Sequence, residues 1–375
     1  MEITPPTQPL SPQASVLSPL KFALSLDHLA WTRGDPAAAV AESVAFARLA
    51  DEAGLDSLWL NEDPEGWDAF AVLGALARET AHVRLGTGVT NPFHRHPNLI
   101  AASVATIDRL SDGRAFLGLG RGQPEWYAHA LGIAPHSPLA LLEETLDLLD
   151  QWWTPPHRAS ADGPLPIHEW ERSIVPIARP PVYLAAVGPK ALELAGRRAD
   201  GVLFNELASH EYLTEAITRV RDAARNAGRD PAALAFFVNP AVYVTDDPEP
   251  VLERKKGFVA TVHTLPGMER LLSTPAFDVP AIVDRVRRAM KTDEVLARGG
   301  GFPELRREGD LAAARRAIPT ELIAHLAAVG PISVIRNRLR TLAEIGATHV
   351  FLDRRGLPSD IAAVQALVGQ LRREP

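Results

Sequence analysis

The chain has 375 residues, enough for one large domain or two ordinary ones. Hydrophobic residues make up 46% and charged residues 23%, which excludes global disorder, and a net charge of −7 without a basic block argues against a nucleic-acid binder. Cysteine is absent, which excludes disulfides, thiolate-bound zinc, iron–sulfur clusters and thiol nucleophiles, and no apolar run approaches the ~18 residues of a membrane span.

Residues 1–20 hold Pro5, Pro6, Pro9, Pro12 and Pro19 and no Lys or Arg. They lack the basic start and apolar core of a secretory signal, so a flexible Pro-rich tail and a cytoplasmic protein are expected. From Lys21 onward, short apolar runs alternate with helical patterns. The runs are 22–26, 58–60, 83–89, 115–120, 182–186, 202–204, 234–238 (extending toward 244) and 349–352. The helical patterns fall at about 35–53, 67–80, 97–111, 138–153, 189–198, 210–227, 332–346 and 359–372.

Parallel neighbours need a crossover, and eight strand–helix repeats favour closure into an α/β (β/α)8 TIM barrel over an open doubly wound sheet. Two segments break the repeat: the Pro-rich stretch 154–180 after the fourth helix, and 248–330 after the seventh strand. Both are expected to be insertions in one barrel spanning 21–375, of the kind that forms lids or binding elements.

In such barrels the chemistry sits where strands end. Polar groups stand at those points, among them Asp27-His28, Asn61-Glu62-Asp63, Arg121-Gly122-Gln123, Asn205-Glu206 and Asp353. Gly86, Gly88, Gly118, Gly120 and Gly122 fall on neighbouring strand ends and predict a flat recess that suits a planar polycyclic cofactor, although tight interior packing uses glycine too. Gly118-Leu119-Gly120-Arg121-Gly122 is not a dinucleotide fingerprint, because Gln123 stands where that pattern needs its third glycine. Gly188-Pro189-Lys190 follows a strand and opens a helix. It is either an anion site, with Lys190 or Arg121 adding charge, or a plain helix start. His94 and His96 have no carboxylate at ligand spacing, so no metal is expected, and no G-x-S-x-G elbow is present.

Three segments carry a family resemblance: Leu85-Gly86-Thr87-Gly88-Val89-Thr90-Asn91-Pro92 with His96-Pro97; Leu110-Ser111-Asp112-Gly113-Arg114-Ala115-Phe116-Leu117-Gly118-Leu119-Gly120; and Pro181 through Gly196 with Ala199-Asp200-Gly201-Val202. In order and spacing the chain resembles the bacterial-luciferase-like superfamily of flavin- and deazaflavin-dependent oxidoreductases. The resemblance implies FMN or coenzyme F420 at the barrel mouth, a non-prolyl cis peptide at Gly88-Val89, and a cofactor ledge of Gly88, Val89, Thr90 and Asn91. It also implies that the loops Arg121-Gly122-Gln123 and Val187-Gly188-Pro189-Lys190 receive the side chain and phosphate, and that the chain dimerises.

The third and fifth strand segments look most like the methylene-tetrahydromethanopterin-reductase branch, which favours the deazaflavin. Arg121 instead matches the arginine that luciferases use for FMN phosphate. Glu62-Asp63 replaces the Asp-His of deazaflavin-dependent sugar-phosphate dehydrogenases, and Gln123 replaces their Glu. The acid candidates are therefore Glu62, Asp63 and His28. Three readings follow: deazaflavin-dependent hydride transfer to a small molecule, an FMN monooxygenase served by a flavin reductase, or a binding relative without catalysis. Aromatics in the two insertions (Trp170, Phe258, Phe277, Phe302) point to an apolar or ring-containing substrate.

Overall fold

The computed structural model describes residues 20–26, 35–63, 66–134 and 136–372. Its strands are β1 (Lys21–Ser25), β2 (Ser57–Leu60), β3 (Arg84–Thr87), β4 (Ala115–Leu119), β5 (Arg158–Ala161), β6 (Ile167–Glu171), β7 (Val182–Ala185), β8 (Gly201–Glu206), β9 (Ala235–Val244), β10 (Val329–Gly330) and β11 (His349–Leu352). Parallel pairing runs β1-β2-β3-β4-β7-β8-β9-β11, and β11 returns to β1 with His349 opposite Lys21, so the ring closes. This is the expected eight-stranded barrel. β2, β4 and β11 are buried along their whole length, as strands covered on both faces must be, which explains their unbroken apolar runs.

Helices alternate with the strands and surround the ring. Pro36–Glu52, Pro97–Leu110, Pro138–Trp153 and Pro189–Arg198 each begin on proline, where the missing N–H costs nothing. Asp68 caps Ala69–Glu79 by accepting from the Ala71 N–H at 3.0 Å. Inside the ring, Trp59 packs at 4.3 Å from Phe116 and 4.7 Å from Phe237, with Tyr183 and Phe351 completing an aromatic plug. No described helix is long and apolar enough to cross a membrane.

The plug narrows the recess expected from five glycines. A Cβ on Gly86 would lie 2.4 Å from the Phe116 ring, and one on Gly118 would lie 2.0 Å from the Thr87 carbonyl oxygen. These two glycines let strands and aromatics pack. Gly88, Gly120 and Gly122 alone of the five face the open mouth.

The first insertion is a β5–β6 antiparallel hairpin, where a Pro-rich loop was expected. It leans on the helix Pro138–Trp153, and Trp152 Nε1 donates to the Trp170 carbonyl at 3.0 Å. A further helix, Pro124–Leu131, follows β4 directly in a stretch expected to be loop. It starts on Pro124 and ends at Gly132 with φ 66°. The second insertion folds into helices Glu249–Phe258, Val279–Met290, Thr292–Ala297, Phe302–Glu308, Leu311–Ala317 and Thr320–Leu326. They enclose an apolar interior of their own, which includes Val286, Met290, Val295 and Leu322. This insertion reaches across to the helix Pro124–Leu131, where Gly301 sits against the Trp126 ring and Gly299 against His129.

Candidate active site

A cleft of about 2040 Å³ opens at the C-terminal ends of the barrel strands, roofed by the second insertion. Ligand pockets usually hold roughly 300–1,000 Å³, so this one has room for two molecules side by side. Its lining includes Glu62, Asp63, Gly88, Val89, Asn91, Arg121, Gly122, Gln123 and all of Val187-Gly188-Pro189-Lys190. Thr90 is buried behind it, and His28 lies outside the described residues.

The floor is a ledge that extends β3. The Gly88–Val89 peptide is cis, at the position the resemblance implies. The Gly88 N–H donates to the Leu60 carbonyl at 2.8 Å, and the Thr90 N–H donates to the Gly118 carbonyl at 3.0 Å. Val89 packs onto Gly120, where a Cβ would come within 2.7 Å of Val89 Cγ2. Gly122 adopts φ 59°, and a Cβ there would meet Tyr127 and Asn91 at 2.7 and 2.8 Å. Asn91 Nδ2 donates to the Tyr127 hydroxyl at 3.3 Å, which ties the ledge to the unexpected helix Pro124–Leu131.

Glu62 is anchored from behind. Its Oε2 accepts from Thr90 Oγ1 in a short hydrogen bond, and its Oε1 accepts from Arg95 Nε at 2.8 Å. Arg95 also contacts Asp68 at 2.7 Å and lies 4.7 Å from the Phe70 ring centroid. Burial works against the Arg95 charge, but hydrogen bonds and charge from Glu62 and Asp68 outweigh it and raise the Arg95 pKa. Both Glu62 oxygens thus act as acceptors within a fixed network. Asp63 is half-buried at the cleft wall.

At the far end of the ledge, Gly188 caps the helix Pro189–Arg198 without any side-chain hydrogen bond, leaving its first-turn N–H groups uncapped. A Cβ on Gly188 would meet nothing within 4 Å, so there is open space over this helix start. Tyr212 Oη holds the Val187 carbonyl at 2.8 Å. Arg121, expected to add charge there, points to solvent and pairs with Glu125 at 3.1 Å.

One feature of the cleft was not expected. Lys255, from the helix Glu249–Phe258, is buried between Glu206 at the end of β8 and Asp353 just past β11. Its Nζ lies 2.7 Å from Asp353 Oδ2 and contacts Glu206 Oε1 at short range. Burial opposes the Lys255 charge, but the two carboxylates outweigh it and raise its pKa. Glu206 and Asp353 were visible as polar strand ends. Lys255 was not, because the run Glu253-Arg254-Lys255-Lys256 reads as a solvated helix face.

The family model for the luciferase-like monooxygenases matches residues 20–349. A 5,10-methylenetetrahydromethanopterin reductase of Methanolobus tindarius is 33% identical over 58% of this chain and 72% of its own. An F420-dependent glucose-6-phosphate dehydrogenase of Mycolicibacterium smegmatis is 31% identical over 57% of this chain and 68% of its own. The solved structure of the coenzyme F420 dependent tetrahydromethanopterin reductase from Methanopyrus kandleri superposes with a TM-score of 0.71 at 21% identity, covering 94% of this chain and 98% of that one.

Proposed function

Because the chain belongs to the luciferase-like monooxygenase family, we propose that it is an oxidoreductase passing hydride between coenzyme F420 and a small organic substrate. The observation that carries this reading is a single cleft with a flat glycine-backed ledge and, along the same wall, an uncapped helix start with open space above it. The F420-dependent glucose-6-phosphate dehydrogenases among the sequence relatives favour the deazaflavin over FMN. When bound, that cofactor supplies a two-electron hydride carrier.

The protein's own groups then have distinct tasks. Gly88, Val89, Thr90 and Asn91 support the ring, and Arg121, Gly122 and Gln123 border its side chain. Val187, Gly188, Pro189 and Lys190 hold the phosphate through backbone N–H groups and the helix dipole. Arg95 and Thr90 fix Glu62, which stiffens the ledge from below. Asp63, at the cleft wall beside it, is the proposed proton donor, and His28 is the second acidic candidate. The roof formed by the second insertion limits water at the reacting atoms.

The test is cofactor binding followed by turnover with and without oxygen. Binding of F420 and oxygen-independent turnover support the proposal, and Asp63→Asn should then lower kcat at least tenfold with cofactor affinity kept. Binding of FMN with oxygen-dependent turnover replaces it with a monooxygenase served by a flavin reductase. Binding of neither leaves a relative without catalysis.

A homodimer is part of the proposal. Leu99, Trp170, Ile174 and Ile177 are exposed on the helix Pro97–Leu110 and on the segment laid along it, where Arg109 Nε donates to the Val175 carbonyl at 2.9 Å. Sedimentation equilibrium of the protein and of Ile174→Glu checks it.

A further inference from the structure

We infer that Lys255 is a catalytic residue whose ammonium donates to the oxygen of the substrate's reacting carbonyl group, so that the substrate is a ketone or aldehyde or, in the reverse direction, the corresponding alcohol. This rests on the oxidoreductase reading above and names the group on which its site acts.

The ring order sets the geometry. β3, which carries the ledge, and β9 stand four strands apart in either direction around the ring, so they face each other across the mouth. Glu206 ends β8 and Asp353 follows β11, the two ring neighbours of β9, and Lys255 spans them. The ion cluster therefore occupies the wall opposite the ledge. The strands are irregular at this point. Pairing of β9 with β8 shifts register between Leu203 and Glu206, pairing with β11 shifts between Val350 and Leu352, and Leu207 and Ala241 adopt φ 59° and 51°. Such bulges re-aim strand-end side chains and are concentrated next to active sites. Asn239, the β9 partner of Glu206, accepts from the Ala241 N–H through Oδ1 at 3.1 Å, which leaves its amide donors to the cleft it lines.

Lys255, Glu206 and Asp353 all line the cleft, yet the Lys255 and Asp353 side chains are only 9% and 7% exposed. Asp353 is fixed from the other side, its Oδ1 accepting from the Arg355 N–H at 2.9 Å. An ammonium has three N–H donors. Glu206 and Asp353 take two, and the third is left for the cleft. A buried ion cluster is a poor source of stability, because the desolvation cost cancels much of the attraction between its charges. The two carboxylates keep Lys255 protonated, which makes it a fixed cation and not a proton source. As hydride reaches the carbonyl carbon from the reduced deazaflavin, the C–O π pair moves onto the oxygen, and the Lys255 N–H stabilises the charge growing there. Asp63, the donor proposed above, gives that oxygen its proton. The substrate gains two electrons, the deazaflavin loses two, and an alcohol results.

The experiment uses the full chain, first scored for F420 uptake by fluorescence so that failure of the cofactor reading is seen separately. Infrared difference spectra are then recorded for acetophenone and cyclohexanone, each isotope-labelled at the carbonyl carbon, on the loaded protein or, if no cofactor is taken up, on the protein alone. At least one ketone should show a carbonyl stretch below its value in water, because a charged donor away from bulk solvent bonds it more strongly. In the variant combining Lys255→Met with Glu206→Gln and Asp353→Asn, which neutralises the whole cluster, the band should return to the water value or above. With reduced F420, kcat for that ketone should fall about a hundredfold in the combined variant, the scale of one lost oxyanion donor, and KM should change less. Asp353→Asn alone withdraws one carboxylate from the ammonium and should lower the band further. This milder variant carries the test if the combined one does not fold. No lowered band with either ketone would overturn the inference even where F420 binds. So would a combined variant that keeps both band and kcat, or an unmoved band in Asp353→Asn, since Lys255 would then serve the roof alone. A lowered, Lys255-dependent band in a protein that takes up no F420 would support the contact and overturn the oxidoreductase reading instead.

Discussion

Arg95 grips Glu62 beneath the ledge, Nη2 to Oε1 at 2.6 Å, with the Glu62 side chain only 2% exposed. Removing one partner of a buried pair strands the other charge and typically costs about 3–5 kcal/mol. Arg95→Met should therefore lower unfolding stability by about 3 kcal/mol in urea titrations and weaken cofactor binding as well. Glu62→Gln removes the charge together with one acceptor and should cost less. Wild-type stability in Arg95→Met would show that the pair does not hold the ledge.

Lys255 stands to the roof as Arg95 does to the floor. Lys255→Met leaves Glu206 and Asp353 facing each other without a cation, and should cost roughly 3 kcal/mol. Adding Glu206→Gln and Asp353→Asn should restore most of that loss, because an apolar or neutral replacement of a whole buried ion cluster is often tolerated. Thermal unfolding of the single and triple variants separates these outcomes. A single variant as stable as its parent would mean that the insertion is held by its apolar contacts alone.

His263 gives the fold an acid limit. It is fully buried, and burial pushes its pKa down to about 4. The depressed value means that the unfolded chain takes up the proton first. The stability it contributes is complete above the unfolded value of about 6.5, and it is lost as pH falls from there toward 4. The loss should reach roughly 3 kcal/mol. His349 is shifted the same way by burial and adds to it. Stability measured from pH 7 to 4 should fall less steeply in His263→Leu than in wild type, and identical slopes would exclude His263 as the cause.

Gly120 and Gly188 make a matched pair of tests for the proposed cofactor site. A methyl group on Gly120 collides with Val89, so Gly120→Ala should tilt the ledge and lower cofactor affinity about tenfold, with roughly 1–2 kcal/mol of overpacking. The Gly188→Ala methyl enters open space at an ordinary φ of −81° and should leave stability within about 0.5 kcal/mol. Equal cofactor affinities for wild type and Gly120→Ala would show that the ring does not rest there.

The barrel was legible because strands covered on both faces must be apolar throughout, and those runs stand clear of the helical patterns around them. The strand-end residues at 62–63, 88–91, 121–123 and 187–190 were legible for the same reason, since a closed parallel ring brings all such ends to one rim. Long-range packing was not. Nothing local distinguishes Gly86 and Gly118, which receive the aromatic plug, from Gly88 and Gly120, which back the ledge. The helix Pro124–Leu131 was signalled by Pro124 and Gly132, but it is too short for an apolar period to stand out. The β5–β6 hairpin carries little β-branched character, and its partner surface is a distant helix. Lys255 became visible only when the insertion folded back over β8 and β11.

The second insertion has an apolar interior of its own and is tied to the barrel by Lys255 between Glu206 and Asp353, by the Ser209 hydroxyl donating to the Ser273 carbonyl at 2.6 Å, and by Thr274 Oγ1 donating to Glu211 at 2.7 Å. Such an arrangement divides labour within one chain. The ring of strands and the proposed cofactor ledge can stay constant while the canopy above them is rewritten. On the proposal that the insertion sets the choice of molecule oxidised or reduced, grafting residues 249–326 onto a related barrel should transfer that choice while leaving the electron carrier unchanged.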